Sequence, residues 1–243
     1  MTNFRLTRRD IDEVVRVMDG PELMAEVSRI GRLGTLPDQL RAALLEGAHL
    51  VEYPSGSVTF RNHDRDLALV VSGLVRIYLA APDGRQITVR YVGAGGLVHA
   101  TGRPLANVVS GAQAVEPSSL LHLDPVRLER LARSEWELSL FLREEAEERL
   151  RLAHRCLAVC AFALVRNRVA RDLLERALAK EGVISGTRIR ATHQELADGV
   201  GSVRDVVARS VRDLRRAGVI ASHKDGLTIV DPDQLRAEAE IAS

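Results

Sequence analysis

The first constraints on this sequence come from what it lacks. No apolar run approaches the roughly 18 residues that a membrane span needs. The opening MTNFRLTRRDIDEVV has no apolar core of the kind a secretory leader carries. The expectation is a soluble, cytoplasmic protein without a membrane partner. Cysteine is nearly absent: Cys156 and Cys160 are the only two, four residues apart in a helical stretch. That spacing excludes a disulfide framework. Within one chain it also leaves too few thiolates for an iron–sulfur cluster or a four-cysteine zinc site. Net charge is only +1 over 243 residues, so the whole chain carries no signal for a polyanionic partner. Arg outnumbers Lys 32 to 2, a skew that codon usage explains as well as chemistry does. Catalytic signatures are missing too. The β-rich region has no Gly-x-Ser-x-Gly, no His-x-His and no paired acids at strand ends. This argues against an enzyme built on a β-roll, and no cofactor or metal is expected.

What is present divides into three stretches. Residues 1–47 read as short helices: Leu23, Val27 and Ile30 share one helical face, and Pro37 starts a second helix through Leu44. From about 50 to 123 the pattern becomes short segments rich in Val, Ile and Tyr: LVEY, SVTF, LALVV, LVRIYLA and QITVRYV. Pro54-Ser55-Gly56, Ser72-Gly73, Pro82-Asp83-Gly84 and Gly93-Ala94-Gly95-Gly96 separate them. Strands at this spacing predict a small barrel or jelly roll, with a hairpin turn at Asp83-Gly84. His63 and His122 lack metal-ligand spacing and read as surface or strand residues.

Asp124-Pro125 then opens a helix, Asp as cap and Pro in the first turn. A longer helix follows from about Ser134 to Asn167. Leu150, Leu157 and Leu164 recur every seven residues, as do Ala146, Ala153 and Cys160. Two such rows, one of small residues, form the seam of a two-stranded helix pair, so a homodimer is expected. A helix packed on its own domain is the plainer alternative. Cys156 and Cys160 read as small buried residues in a reducing cytosol, with a redox cross-link as the alternative.

The last third is helical until two short strands. ARDLLERALAKEG is amphipathic with Gly182 as its cap. Thr192-His193-Gln194-Glu195 is a capping box, and Leu196, Ala197 and Val200 form an apolar face behind it. Gly201 makes a turn, and Ser202 is positioned to cap VRDVVARSVRDLRRAG, whose apolar face is Val206, Val207, Val211 and Leu214. VIAS and LTIVD bracket a His223-Lys224-Asp225-Gly226 tip. Helix, turn, helix and hairpin in that order spell a winged helix-turn-helix.

The second helix of that unit fits double-stranded DNA. Over 202–216 there are five Arg and two Asp, a local balance of 5 − 2 = +3. Arg204, Asp205, Arg209 and Arg212 lie opposite the valines. Arg204 and Arg209 can donate to guanine O6 and N7, and Asp205 can accept from cytosine N4. Thr192, His193 and Ser202 sit at helix starts, where hydroxyls and backbone N–H groups meet phosphates, and Lys224 at the hairpin tip reaches the backbone. A merely solvated charged face is the competing reading.

The run THQELADGVGSVRDVVARSVRDLRRAGVIASHKDGLTIVD resembles the DNA-binding domain of the cyclic AMP receptor protein and fumarate–nitrate regulator (CRP/FNR) family. Thr192, Gln194, Glu195, Leu196, Ala197, Val200, Gly201, Arg204, Asp205, Val207 and Arg209 match the family pattern. Val203 stands where Ser is frequent, Asp205 for Glu and Val206 for Thr. VVSGLVRIYLAAPDGRQITVRYVGAGG is similar to the family's cyclic-nucleotide-type jelly roll. The resemblance implies an α+β chain: an effector-type domain over 1–133, a dimerisation helix over 134–167 and a winged helix-turn-helix over 168–243. It also implies a transcription regulator that meets RNA polymerase.

The resemblance also bears on the effector. Cyclic AMP-binding members hold the ribose with a Gly-Glu and the cyclic phosphate with an Arg-Ser. Aligned without a gap, these positions are His99 and Ala100, then Ser110 and Gly111. A buried phosphodiester without its cation is costly, so cyclic AMP is not expected in the usual mode. Arg103 is the nearby substitute. Leu97, His99, Ala100, Arg103, Val109, Ser110 and Gly111 remain as an apolar region for an unknown small molecule or a haem, with His99 more simply an ordinary hydrogen-bonded histidine. A signalling module sensing such a ligand without DNA-dependent output is the alternative function.

Overall fold

The computed structural model describes residues 15–16, 31–61, 67–99, 107–180, 182–224 and 226–240. The Leu23, Val27 and Ile30 face, His63, Ala100 and Arg103 lie outside them. Strand β1 (Val15–Arg16), a 3-10 turn (Arg32–Thr35) and helix α1 (Asp38–Leu45) lead into the β domain. Its strands are β2 (His49–Tyr53), β3 (Val58–Arg61), β4 (Leu67–Ser72), β5 (Val75–Ala80), β6 (Gln86–Val92), β7 (Leu97–His99), β8 (Val109–Ala114) and β9 (Ser118–His122). They form two antiparallel sheets, ordered β1-β2-β9-β4-β7 and β3-β8-β5-β6. The expected jelly roll is therefore present. Its β5–β6 hairpin turns at Asp83-Gly84, where Gly84 takes φ 86, a left-handed angle that costs glycine little.

Strand β4 shows why a strand in this domain reads as a continuous apolar run. Leu67, Ala68, Leu69 and Val70 are all buried, because both faces of the strand are covered. Ala68 and Val70 point into the roll with Phe60, Val75, Val98 and Leu120. Leu67 and Leu69 point outward, onto a second core shared with Leu33, Leu44, Leu121 and Leu138. Each such leucine contributes about 1.5–3 kcal/mol through burial.

Helices α2 (Pro125–Ser134) and α3 (Trp136–Phe162) follow. Asp124 caps α2 as the sequence indicates, accepting from Val126 N at 2.8 Å and Arg127 N at 3.0 Å. The long helix is shorter than its heptad pattern. The chain is extended at Ala163 and Leu164 (ψ 143 and 157) before α4 (Val165–Leu178) begins. No Gly or Pro marks this break in the sequence. Tertiary docking accounts for it: α4 turns to bury Val169, Ala170 and Leu173 in the C-terminal core. Leu164, one member of the heptad row, consequently lies past the end of the helix.

The C-terminal unit runs β10 (Arg188–Ile189), α5 (His193–Val200), α6 (Arg204–Arg216), β11 (Ile220–His223), β12 (Gly226–Ile229) and α7 (Pro232–Glu238). The wing has three strands, in the order β10-β12-β11, rather than two. The additional helix α7 is capped by Asp231, which accepts from Gln234 N at 2.9 Å, and it buries Leu235. Among the described residues no helix is long and apolar enough to cross a membrane.

Candidate nucleic-acid interface and the effector region

The reader is assembled from local signals. The Thr192 hydroxyl accepts from Glu195 N at 3.1 Å, and the Glu195 carboxylate accepts from Thr192 N at 2.6 Å. This reciprocal pair fixes the start of α5. Gly201 at φ 65 ends the helix, and Ser202 N donates to Ala197 O at 3.0 Å to close the turn. That closure explains one correction. Ser202 belongs to the turn, so Val203 rather than Ser202 occupies the cap of α6, without a side-chain cap bond.

Helix α6 has two faces. Val207, Ser210, Val211 and Leu214 are buried, while Val206 is half-buried. Ser210 adapts to burial by donating to Val206 O at 3.1 Å. Arg204, Asp205, Arg209 and Arg212 are exposed on the other face. Among the described residues no hydrogen bond or ion pair occupies the side chains of Arg204, Arg209 or Arg212. A row of unpaired guanidiniums on a rigid helix is what base-edge and phosphate contacts require. Thr192 is exposed and His193 half-buried at the start of α5, Ser202 is half-buried, and Lys224 is exposed at the hairpin tip.

The positions singled out for an effector fall on two sheets. Leu97 and His99 are on β7, and Val109, Ser110 and Gly111 on β8. Gly111 is buried under Tyr78, and a Cβ there would come within 2.7 Å of the phenol oxygen. Two cations that sequence patterns did not reveal approach this region. Arg90 donates to Leu97 O at 2.9 Å, and Arg149 reaches it from α3. Partial desolvation, then the charges of Arg149 and Arg90, lower the His99 pKa to about 4, although more than a third of the residue stays exposed. His99 is thus neutral at physiological pH. No group of three His, Cys, Asp or Glu able to hold a metal occurs among the described residues.

A second contact invisible in the sequence ties the two domains together. The Tyr91 hydroxyl on β6 donates to Asp172 on α4 at 2.6 Å. Arg176 donates to the other Asp172 oxygen at 2.7 Å, and its guanidinium lies 4.8 Å from the Tyr91 ring centre. Asp172 and Arg176 are both almost fully buried. Burial first, then the Asp172 charge, raises the Tyr91 pKa. Gly93 fits against Ala179 so closely that a Cβ would sit 1.6 Å from the Ala179 carbonyl oxygen. Ile87 on β6 bridges Val200 at the end of α5.

A cyclic-nucleotide-type roll joined by a long helix to a winged helix-turn-helix defines a class of DNA-binding regulators. The comparisons agree at both ends. Residues 50–135 match the cyclic nucleotide-binding domain, and residues 167–238 the Crp-like helix-turn-helix domain. A CRP-like cAMP-activated global transcriptional regulator of Mycobacterium tuberculosis is 28% identical over 209 residues, spanning 82% of this chain and 91% of that protein. The transcriptional regulator SdrP of Thermus thermophilus is 31% identical over 181 residues, spanning 70% of this chain and 82% of its own. A crystal structure of a CRP/FNR-family transcriptional regulator from Thermus thermophilus superposes with a TM-score of 0.60 at 28% identity, covering 78% of this chain and 97% of that one. The chain belongs to the CRP/FNR family of transcription regulators, which carry a helix-turn-helix DNA-binding domain.

Proposed function

We propose that this chain acts as a homodimer on a palindromic DNA site, reads bases with Arg204, Asp205 and Arg209, and does not take cyclic AMP in the usual mode. The two-faced α6, packed through its valines and presenting unpaired arginines, carries the reading. Ser202, Thr192, His193, Arg212 and Lys224 supply phosphate contacts around it. The dimer is supported by an apolar stripe along α3. Ala146, Leu150, Ala153 and Leu157 are all exposed, Leu157 to 66%. Apolar residues left open at helical spacing need a partner, and a second copy of the same stripe supplies one. Contact with RNA polymerase follows from family membership.

The relative from Mycobacterium tuberculosis is cAMP-activated. Here the carboxylate and the phosphate-binding cation of such a pocket are replaced by Ala100 and Ser110, and Tyr78 closes over Gly111. A different, less charged effector near Leu97, His99 and Val109, or none, fits these side chains better. Selection from a random DNA pool tests the central reading. The expected product is a two-fold-symmetric site with half-sites about one helical turn apart. Recovery of sites without dyad symmetry, or of no enriched sequence, would overturn it.

A further inference from the structure

The chain's two cysteines stand one helical turn apart on α3, with their sulfurs 4.0 Å from each other. Both are half-buried and line a cavity of about 280 Å³ where α3, β6 and α4 meet. Its wall also carries Thr88 and Leu152 and the charged Arg155, Arg168, Arg171, Asp172 and Glu175. Cys156 donates to Thr88 O at 3.6 Å, so it faces the roll rather than the exposed stripe. Cys160 stands beside it in the same cavity.

Thiolate–metal bonds of about 2.3 Å allow two sulfurs on one ion to lie at most about 4.6 Å apart. The observed 4.0 Å lies about 0.6 Å inside that limit, so small side-chain rotations bring both sulfurs to the near-linear arrangement a two-coordinate ion takes. No third His, Cys, Asp or Glu joins them among the described residues. Within one protomer, then, four-coordinate zinc and iron–sulfur clusters lack ligands. A soft monovalent ion, satisfied by two thiolates, does not.

We propose that Cys156 and Cys160 form a two-thiolate site for Cu(I) in the cavity between the dimer helix, the roll and the DNA-binding domain. Both sulfurs bind Cu(I) as thiolates, and each proton still carried by a thiol is released to solvent. No electron changes hands.

The test titrates reduced, full-length protein with Cu(I) under anaerobic conditions against a chromophoric Cu(I) chelator, with native mass spectrometry for stoichiometry. One ion per protomer and a sulfur-to-copper charge-transfer band in the near ultraviolet are expected. Cys156→Ser and Cys160→Ser should each weaken binding about a hundredfold or more. Circular dichroism and sedimentation of both variants should match wild type. Because a variant can misfold, wild-type protein is also alkylated with iodoacetamide with and without Cu(I), and both thiols should be protected. Three results would overturn the site: a wild-type protein whose thiols Cu(I) leaves unprotected, equal affinity in the Cys156→Ser/Cys160→Ser double variant, or one ion per dimer that survives Cys156→Ser and so bridges two copies of Cys160.

Discussion

In the proposed reading, single side chains decide which base pairs are read. Among the described residues Arg204 and Arg209 are exposed and unpaired, on a helix whose other face is buried. Replacing either with Ala should cost about 1–3 kcal/mol on a selected site and less on random DNA. Competition binding with both DNAs reads this directly, and unchanged specific affinity in both variants would exclude α6 as the reader. His122 makes a different kind of prediction. It is buried on β9, stacked on Phe60 with ring centres 5.1 Å apart, its Nε2 3.0 Å from the Tyr53 hydroxyl. Burial, then the neighbouring His49, lowers its pKa to about 4. The unfolded chain therefore takes up a proton near pH 6.5 that the folded protein refuses until about pH 4. Stability should be full above pH 6.5 and fall through that window, by at most about 3 kcal/mol. Urea unfolding at pH 7.5 and pH 5 should show the loss in wild type and a smaller one in His122→Phe. Equal losses would remove His122 as the cause.

At the scale of elements, α3 serves two surfaces. One side packs Leu138, Phe141 and Val159 inward, and the opposite side leaves Leu150 and Leu157 open. The heptad rows in the sequence combine these two surfaces. Cys160 falls in a seam row by counting, yet it lines the cavity with Cys156. Leu164 falls in the other row, yet the helix has ended at Phe162. The proposed dimer seam is centred on Leu157. Leu157→Glu would place a carboxylate against its own copy, and sedimentation equilibrium should show dimerisation weakened at least about tenfold, more than 1.4 kcal/mol. A wild-type protein that is monomeric at micromolar concentration would contradict the seam itself.

Across the whole molecule, the DNA-binding unit is docked on the roll through the Tyr91, Asp172 and Arg176 cluster and the close approach of Gly93 to Ala179. An effector acts only by favouring one domain arrangement over another, which requires different affinity for the two. In the proposed reading, with Ala100 and Ser110 at the Glu and Arg positions, cyclic AMP has no such anchor and little differential free energy to give. DNA titrations of ligand-stripped protein with and without millimolar cyclic AMP should therefore agree within about twofold. A tenfold tightening, about 1.4 kcal/mol of coupling, would show that the nucleotide is held by other cations, with Arg90, Arg149 and Arg103 the first to test.

The sequence alone determined the parts whose causes are local. The capping box at Thr192, the left-handed Gly201, the Asp124-Pro125 helix start and the Asp83-Gly84 hairpin each depend on neighbours within a few residues. The apolar face of α6 and the strands of the roll were equally legible, because burial on one face imposes a period. Tertiary structure decided whatever depends on residues far apart in the chain. The break at Ala163 and Leu164 has no local breaker and follows from docking α4. The displacement of the α6 cap from Ser202 to Val203 follows from how the Gly201 turn closes. The Arg90 and Arg149 cations near Leu97 and His99, and the contact of Tyr91 with Asp172 across 81 positions, carry no periodic signal. Hydrogen bonds and charges act through space, and only the folded chain sets those distances.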